Sequence, residues 1–231
     1  MSQIKLVHSG GNGVIISAPS SNPASDVTFR LPNADGSANQ FMKTDGSGNL
    51  AFAAATDTND FVKLQAASSS SSISDLTFAS LDVTTYRTFK IILYVLPATD
   101  NEVLALRFRN GSTDSTGNIY NYANIGVNGA GSYFDNGGTD TYAPIAFNTG
   151  NQNTEGFRVE LTVVPRISSD PTGHSGNFGF SSVARYNTSS SFRGENFWFH
   201  HGSTTNHDGF KIYGRSGDIA AYTYTLYGLK R

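Results

Sequence analysis

The side chains suited to metal or acid–base chemistry are few in this sequence and poorly grouped. Of five histidines, His200, His201 and His207 lie close together, and neutral imidazole is a good metal ligand. Neighbouring residues of a strand point to opposite faces, so His200 and His201 cannot chelate one ion together. Either one, placed near a symmetry axis, could still share a metal with its copies. Asp135, Asp140 and Asp170 fall in predicted loops. Paired carboxylates serve glycoside hydrolysis, but no spacing here fixes a pair, and loop aspartates ordinarily form turns. A Ca²⁺ in such a loop would need only convergent oxygens. No HExxH, P-loop, GxGxxG or GxSxG pattern occurs, and Gly10-Gly11-Asn12-Gly13 has no following helix to hold a phosphate. With no cysteine, disulfides and thiolate metal sites are excluded. The expectation is a protein that is not an enzyme, with no catalytic residues and no cofactor.

Binding chemistry is better represented. Tyr120, Tyr122, Tyr133, Phe134 and Tyr142 sit in or beside two long predicted loops, 110–120 and 128–144, among Asn and Gly. Trp198 stands in Phe197-Trp198-Phe199, on the opposite strand face from both phenylalanines. Sugars are held by ring stacking on their C–H faces and by amide or carboxylate hydrogen bonds at their rims. Tyr120, Tyr122, Tyr133, Tyr142 and Trp198 are therefore the candidate glycan-binding residues. The competing reading makes the same rings core or subunit interface.

These residues must be positioned by strands. The chain has 231 residues, 12% aromatic and only 15% charged, with 24 glycines. Phe, Tyr, Val, Ile and Thr are cut at short intervals by Gly, Asn, Asp, Ser and Pro, the composition of many short strands and tight turns. From about residue 61, apolar side chains alternate in Glu102–Arg109 and Phe157–Val163. Thr88–Leu96 is an apolar run stopped by Pro97, the signature of a central buried strand. Further strands are predicted at 61–65, 73–78, 177–186, 195–201, 209–213 and 219–229, with Ser68–Ser72 as a loop. About eight to ten antiparallel strands point to a two-sheet sandwich of jelly-roll type over residues 61–231.

Residues 1–60 differ. Short strands are predicted at 4–7, 13–16, 27–31, 40–43 and 50–52, the last two forming a hairpin around Asp45-Gly46-Ser47-Gly48. Val27, Phe29, Leu31, Phe41, Leu50 and Phe52 give each strand one apolar face. Six such side chains cannot offset the ordering entropy of about 50 residues at roughly 1–2 kcal/mol each. The segment therefore needs partner surface. Net charge is −2, which supplies no basic field for nucleic acid. No apolar run reaches the roughly 18 residues of a membrane span, and the N-terminus lacks a signal-peptide pattern, so synthesis and folding in a cytoplasm are expected.

The segment Val27-Thr-Phe-Arg-Leu-Pro-Asn-Ala-Asp-Gly-Ser-Ala-Asn-Gln-Phe-Met-Lys-Thr-Asp-Gly-Ser-Gly-Asn-Leu-Ala-Phe52 resembles the N-terminal attachment segments of tailed-bacteriophage virion proteins, marine ones especially. Leu96–Phe108 and the ending Ser216–Arg231 are similar to strands of phage fibre sandwich domains. The resemblance implies a structural protein on the virion surface, in a tail fibre or a head fibre, made in the host cytoplasm and usually trimeric. Residues 1–60 would then be an attachment and trimerisation region contacting itself and other virion proteins, and the sandwich would contact host-surface glycans. A capsid decoration protein is the alternative. A polysaccharide-degrading tailspike is the remote one, since no carboxylate pair is evident. Neither nucleic acid nor membrane insertion is expected.

Overall fold

The structure is a computed structural model that describes residues 3–54, 60–128, 130–152, 154–166, 176–187 and 191–230. Asp170 lies outside them. Every regular element among the described residues is a strand, and the strands pair antiparallel. The protein is all-β. The chain divides into two compact units, 1–58 and 59–231.

The first unit holds two hairpins. β1 (Gln3–Val7) pairs with β2 (Gly13–Ser17), and β3 (Gln40–Thr44) with β4 (Leu50–Ala54). The turn between β3 and β4 is built by Asp45. Its carboxylate accepts from the backbone N–H of Ser47 at 2.8 Å and of Asn49 at 3.1 Å, and Gly46 and Gly48 take the positive φ the turn requires. Residues 27–31 do not form the expected strand. Only Arg30 pairs, in an isolated bridge: its N–H donates to the Gly48 carbonyl and its carbonyl accepts from Leu50 N–H. Val27, Phe29 and Leu31 are correspondingly exposed, Phe41 and Phe52 are also exposed, and only Leu50 is half-buried. The alternating pattern in 27–31 marks an apolar face, and within the described residues of this unit that face stays exposed.

The second unit has thirteen strands among the described residues. They are β5 (Phe61–Ser69), β6 (Asp75–Phe78), β7 (Tyr86–Pro97), β8 (Glu102–Asn110), β9 (Thr113–Asp114), β10 (Tyr120–Asn128), β11 (Gly131–Asp140), β12 (Ala143–Thr149), β13 (Gly156–Val164), β14 (Asn177–Asn187), β15 (Ser191–His201), β16 (Gly209–Gly214) and β17 (Ile219–Lys230). One sheet has eight strands in the order β11-β10-β15-β14-β13-β7-β17-β5. The other runs β12-β8-β16-β6, with β9 on β8. Both sheets send alternate side chains into one apolar core. Phe89, Ile91, Leu93 and Val95 of β7 meet Phe157, Val159, Leu161 and Val163 of β13 there, with Leu104, Leu106 and Phe108 of β8 and Phe210 and Ile212 of β16. Six phenylalanines are fully buried in it: Phe78, Phe89, Phe108, Phe157, Phe197 and Phe210.

Three expectations need correction. Residues 128–144 are no loop: most of them form β11, an edge strand paired to β10, and β12 starts at Ala143. Repeated Gly, Asn and Asp conceal that strand from composition. The serine run begins inside β5, which continues to Ser69. β7 is central, between β13 and β17, but only one of its faces is buried, for Ile92 on the other is half exposed. The turn joining β7 and β8 is held by the buried Glu102, whose carboxylate accepts from Thr99 Oγ1–H at 2.6 Å and from the N–H groups of Val103 and Ser216 at 2.9 Å.

Candidate functional site

The five candidate glycan-binding residues do not form one surface. Tyr120 belongs to the core. It is fully buried, its hydroxyl accepts from Phe108 N–H at 2.9 Å and donates to the Ser115 carbonyl at 3.0 Å, and burial holds its phenol above the ordinary range. A ring with no exposed face cannot stack on a sugar, so Tyr120 is withdrawn from the set. Tyr122 turns inward, edge-on to Phe147 at 6.0 Å, where burial raises its pKa. Tyr133 also turns inward. Its hydroxyl donates to Glu195, which pairs with the buried Arg185 at 3.2 Å, and Arg185 donates on to the Asn148 carbonyl. Burial first, and the Glu195 hydrogen bond next, push the Tyr133 phenol up to about 12. Tyr142 carries the Arg215 guanidinium over its ring at 5.5 Å, so one ring face is taken.

Trp198 is placed differently. Phe197 and Phe199 enter the core, and the strand period puts Trp198 on the outer face of the eight-stranded sheet, 48% exposed. Register brings other rings to it. Trp198 lies between Ala123 of β10 and Phe180 of β14, with ring centroids 5.7 Å apart in the Trp198–Phe180 pair. One step along, His200 of β15 sits beside Phe178 of β14 at 4.8 Å. On the other side Ile125 of β10 pairs with Phe134 of β11, and both are exposed, Phe134 by 68%. Asn196 and Ser182 stand opposite each other in the same face. The result is a tract of rings and aliphatic groups with amide, hydroxyl and imidazole groups beside it.

Farther across the sheet the outer face turns polar. Lys90 and Glu160 form an ion pair at 2.8 Å, Arg158 lies over the Tyr94 ring at 5.1 Å, and a groove of about 630 Å³ is lined by Ile92, Tyr94, Arg158, Glu160, Ser182 and Thr223 among others. Exposed apolar tracts of this kind on a folded domain mark interaction surfaces. Phe178, Phe180, Ile125 and Val127 escaped the sequence reading, which noted Phe134 beside the loop tyrosines without making it a candidate. The available signal was apolar residues at both parities of a strand, as in Tyr120-Asn-Tyr122-Ala-Asn-Ile125-Gly-Val127, where the sheet needs only one; Phe178 and Phe180 share a single parity.

Ser115, His201 and Asn177 lie in a row like that of a nucleophile, its base and an orienting group. Ser115 Oγ lies 2.8 Å from His201 Nε2, and Asn177 Nδ2 lies 3.3 Å from His201 Nδ1. Asn177 Oδ1 accepts from Arg166 N–H at 2.8 Å, so its amide N–H faces the imidazole. His201 Nδ1 is then an acceptor, and Nε2 carries the proton and donates to Ser115. A general base needs the opposite tautomer. His201 is fully buried, and its pKa is pushed down to about 4 by that burial, with His207 and His200 adding to the effect. Ser115 is held, not activated. Among the described residues no group of three or more His, Asp or Glu side chains is placed to hold a metal ion. No family model matches the chain, and no curated protein or solved structure is significantly similar to it.

Proposed function

We propose that this chain is a non-enzymatic structural protein of a tailed-phage virion, a trimeric fibre protein that presents the outer face of its large sheet to a host-surface glycan. The observation that carries the binding role is the exposed tract built by Trp198, Phe180, Phe178 and His200. Flat rings flanked by Asn196 and Ser182 suit a ligand with apolar C–H faces and a hydroxyl rim. The virion assignment rests on the sequence resemblance. The first unit supports an attachment role, because its large apolar side chains stay exposed.

The second unit reads as jelly-roll-like. Strands β5, β7, β13 and β17 of one sheet and β6, β8, β12 and β16 of the other interleave along the chain, with neighbours β5-β17-β7-β13 and β6-β16-β8-β12. That is the order two Greek keys impose on a double sheet. β10, β11, β14 and β15 widen one of the sheets.

Trp198→Ala combined with Phe180→Ala should reduce host adsorption about tenfold or more while leaving the melting temperature within a few degrees, as expected for an exposed Trp198 and a half-buried Phe180 on the outer face, outside the core. Unchanged adsorption would remove the receptor role from this face. If loss of the whole protein then weakens capsids, the decoration reading takes its place.

A further inference from the structure

We infer that the glycan met by the outer sheet face is an acidic oligosaccharide, and that the groove beside Arg158 is the subsite for its carboxylate. The inference rests on the outer-face reading and adds a ligand class to it. Groove and ring tract adjoin, because register lines the outward side chains up in rows across the strands. Ile92, Glu160, Ser182, Asn196 and Ile125 form one row, from β7 across β13, β14 and β15 to β10. Trp198 and Phe180 stand in the row on one side of it, Tyr94 and Arg158 in the row on the other. Two strand spacings and four residues of rise separate the Arg158 and Trp198 backbones, about 16 Å. A ligand that meets both is therefore longer than one sugar ring.

Arg158 has the donors a carboxylate needs. Its guanidinium lies over the Tyr94 ring, 5.1 Å from the centroid, and the Tyr94 hydroxyl is fixed by donating to the Glu155 carbonyl at 3.0 Å. Among the described residues the Arg158 guanidinium makes no hydrogen bond and no ion pair. Arg107, Arg109 and Arg185, by contrast, donate to the Thr141 carbonyl at 2.9 Å, to Thr77 Oγ1 at 2.8 Å and to Glu195 at 3.2 Å. The residue opposite Arg158 on β14 is Ala184, which has no side-chain acceptor to offer. A guanidinium seated on a ring in a groove, with its fork unspent, matches a carboxylate in two parallel hydrogen bonds.

Charge narrows the ligand further. Glu160 lines the same groove, but Lys90 pairs with it at 2.8 Å, so Arg158 sets the net charge. One such cation beside a carboxylate suits a monoanion better than a phosphate dianion. The hydroxyls of Ser182, Thr223 and Thr225 also line the groove, and each can donate or accept with a sugar hydroxyl.

Calorimetric titration of the full-length protein tests this with tetramers of galacturonate, mannuronate and sialate, each beside its carboxyl-reduced form. At least one acid tetramer should bind about tenfold or more tighter than its reduced form, the value of a hydrogen bond to a charged group, and added salt should weaken it. Arg158→Gln, at an exposed position, should cancel that preference. Arg158→Lys should restore only part of it, because an ammonium lacks the fork. Trp198→Ala should weaken acid and reduced forms alike. Equal binding of the two forms, lost with Trp198→Ala, overturns the acidic class and leaves the outer face a glycan site. Acid preference that survives Arg158→Gln overturns the subsite, and acid binding untouched by Trp198→Ala overturns the joining of groove and ring tract. Binding of no acid tetramer overturns the inference outright, while the adsorption of the Trp198 and Phe180 double variant decides the outer face separately.

Discussion

His201 shows how one residue can couple this fold to pH. It sits on the inner face of β15 among Tyr120, 4.3 Å away between ring centroids, Phe108 and His207, with Ser115 and Asn177 on its two nitrogens. Burial holds its pKa near 4 in the folded chain, below the value of 6.5 that an unperturbed histidine has. Between those two values the unfolded chain binds the proton and the folded chain does not, so stability rises with pH across the window. The contribution is fully present above about pH 6.5 and is lost as pH falls toward 4. It amounts to about 2 kcal/mol between pH 7 and pH 5. His207 is shifted in the same direction by burial and adds to it. Urea midpoints measured from pH 7 down to pH 4 should therefore fall steadily, and the His201 ring protons should not titrate above pH 5. A flat midpoint, or a His201 titration near neutrality, would contradict the buried neutral imidazole.

At the scale of the element, β10 and β11 depend on glycine. Tyr133 of β11 pairs directly with Gly126 of β10, and a Cβ on Gly126 would stand 2.5 Å from the Tyr133 ring. Tyr122 and Gly137 repeat the arrangement, as do Phe199 and Gly179 on β15 and β14. The ring covers the bare backbone of its partner, a known device for seating glycine in a sheet. Gly126→Val should push Tyr133 off Glu195 and cost about 1–3 kcal/mol, read as a lower urea midpoint. It should also move the Tyr133 phenol down from about 12, because the Glu195 hydrogen bond and part of the burial are lost. A phenol that still titrates near 12 would show that the pair tolerates the side chain.

The same strands show what a sequence reveals and what it conceals. β8 and β13 were legible because Leu104, Leu106 and Phe108, and Phe157 through Val163, alternate cleanly over one core face. β11 was not, since Gly131-Ser-Tyr-Phe-Asp-Asn-Gly-Gly spends its strand residues on partners across the sheet and reads like a turn. Trp198 was legible by parity alone. Its neighbours Phe180 and Phe178 were not, because only the pairing of β14 with β15 puts them beside it. The tyrosines failed as a set for the same reason: the register turns Tyr120, Tyr122 and Tyr133 inward, and no local pattern encodes that.

On the scale of the whole molecule, the first unit poses the question of partners. Ile4, Leu6, Val14 and Ile16 share one face of the β1–β2 hairpin and are each more than half exposed, as are Val27, Phe29 and Leu31. A two-stranded hairpin with no covered face is marginal in water, and unpaired strand edges invite association. Copies of the same chain arranged in a closed ring would cover these faces and remove edges together. The number three comes from the resemblance to phage fibre proteins. The need for partners comes from the exposed side chains. Light scattering on the full-length protein should give a mass about three times the 24.7 kDa of one chain. Deleting residues 1–55 should leave the second unit soluble, since its core is closed by its own two sheets, but unable to join the virion. A stable full-length monomer whose β1–β4 amides resist hydrogen exchange would refute the assembly, because the hairpins would then be ordered without any partner. A truncated protein that still enters virions would instead place the attachment surface on the second unit, where the tract around Trp198 and Phe134 is an exposed apolar area able to serve.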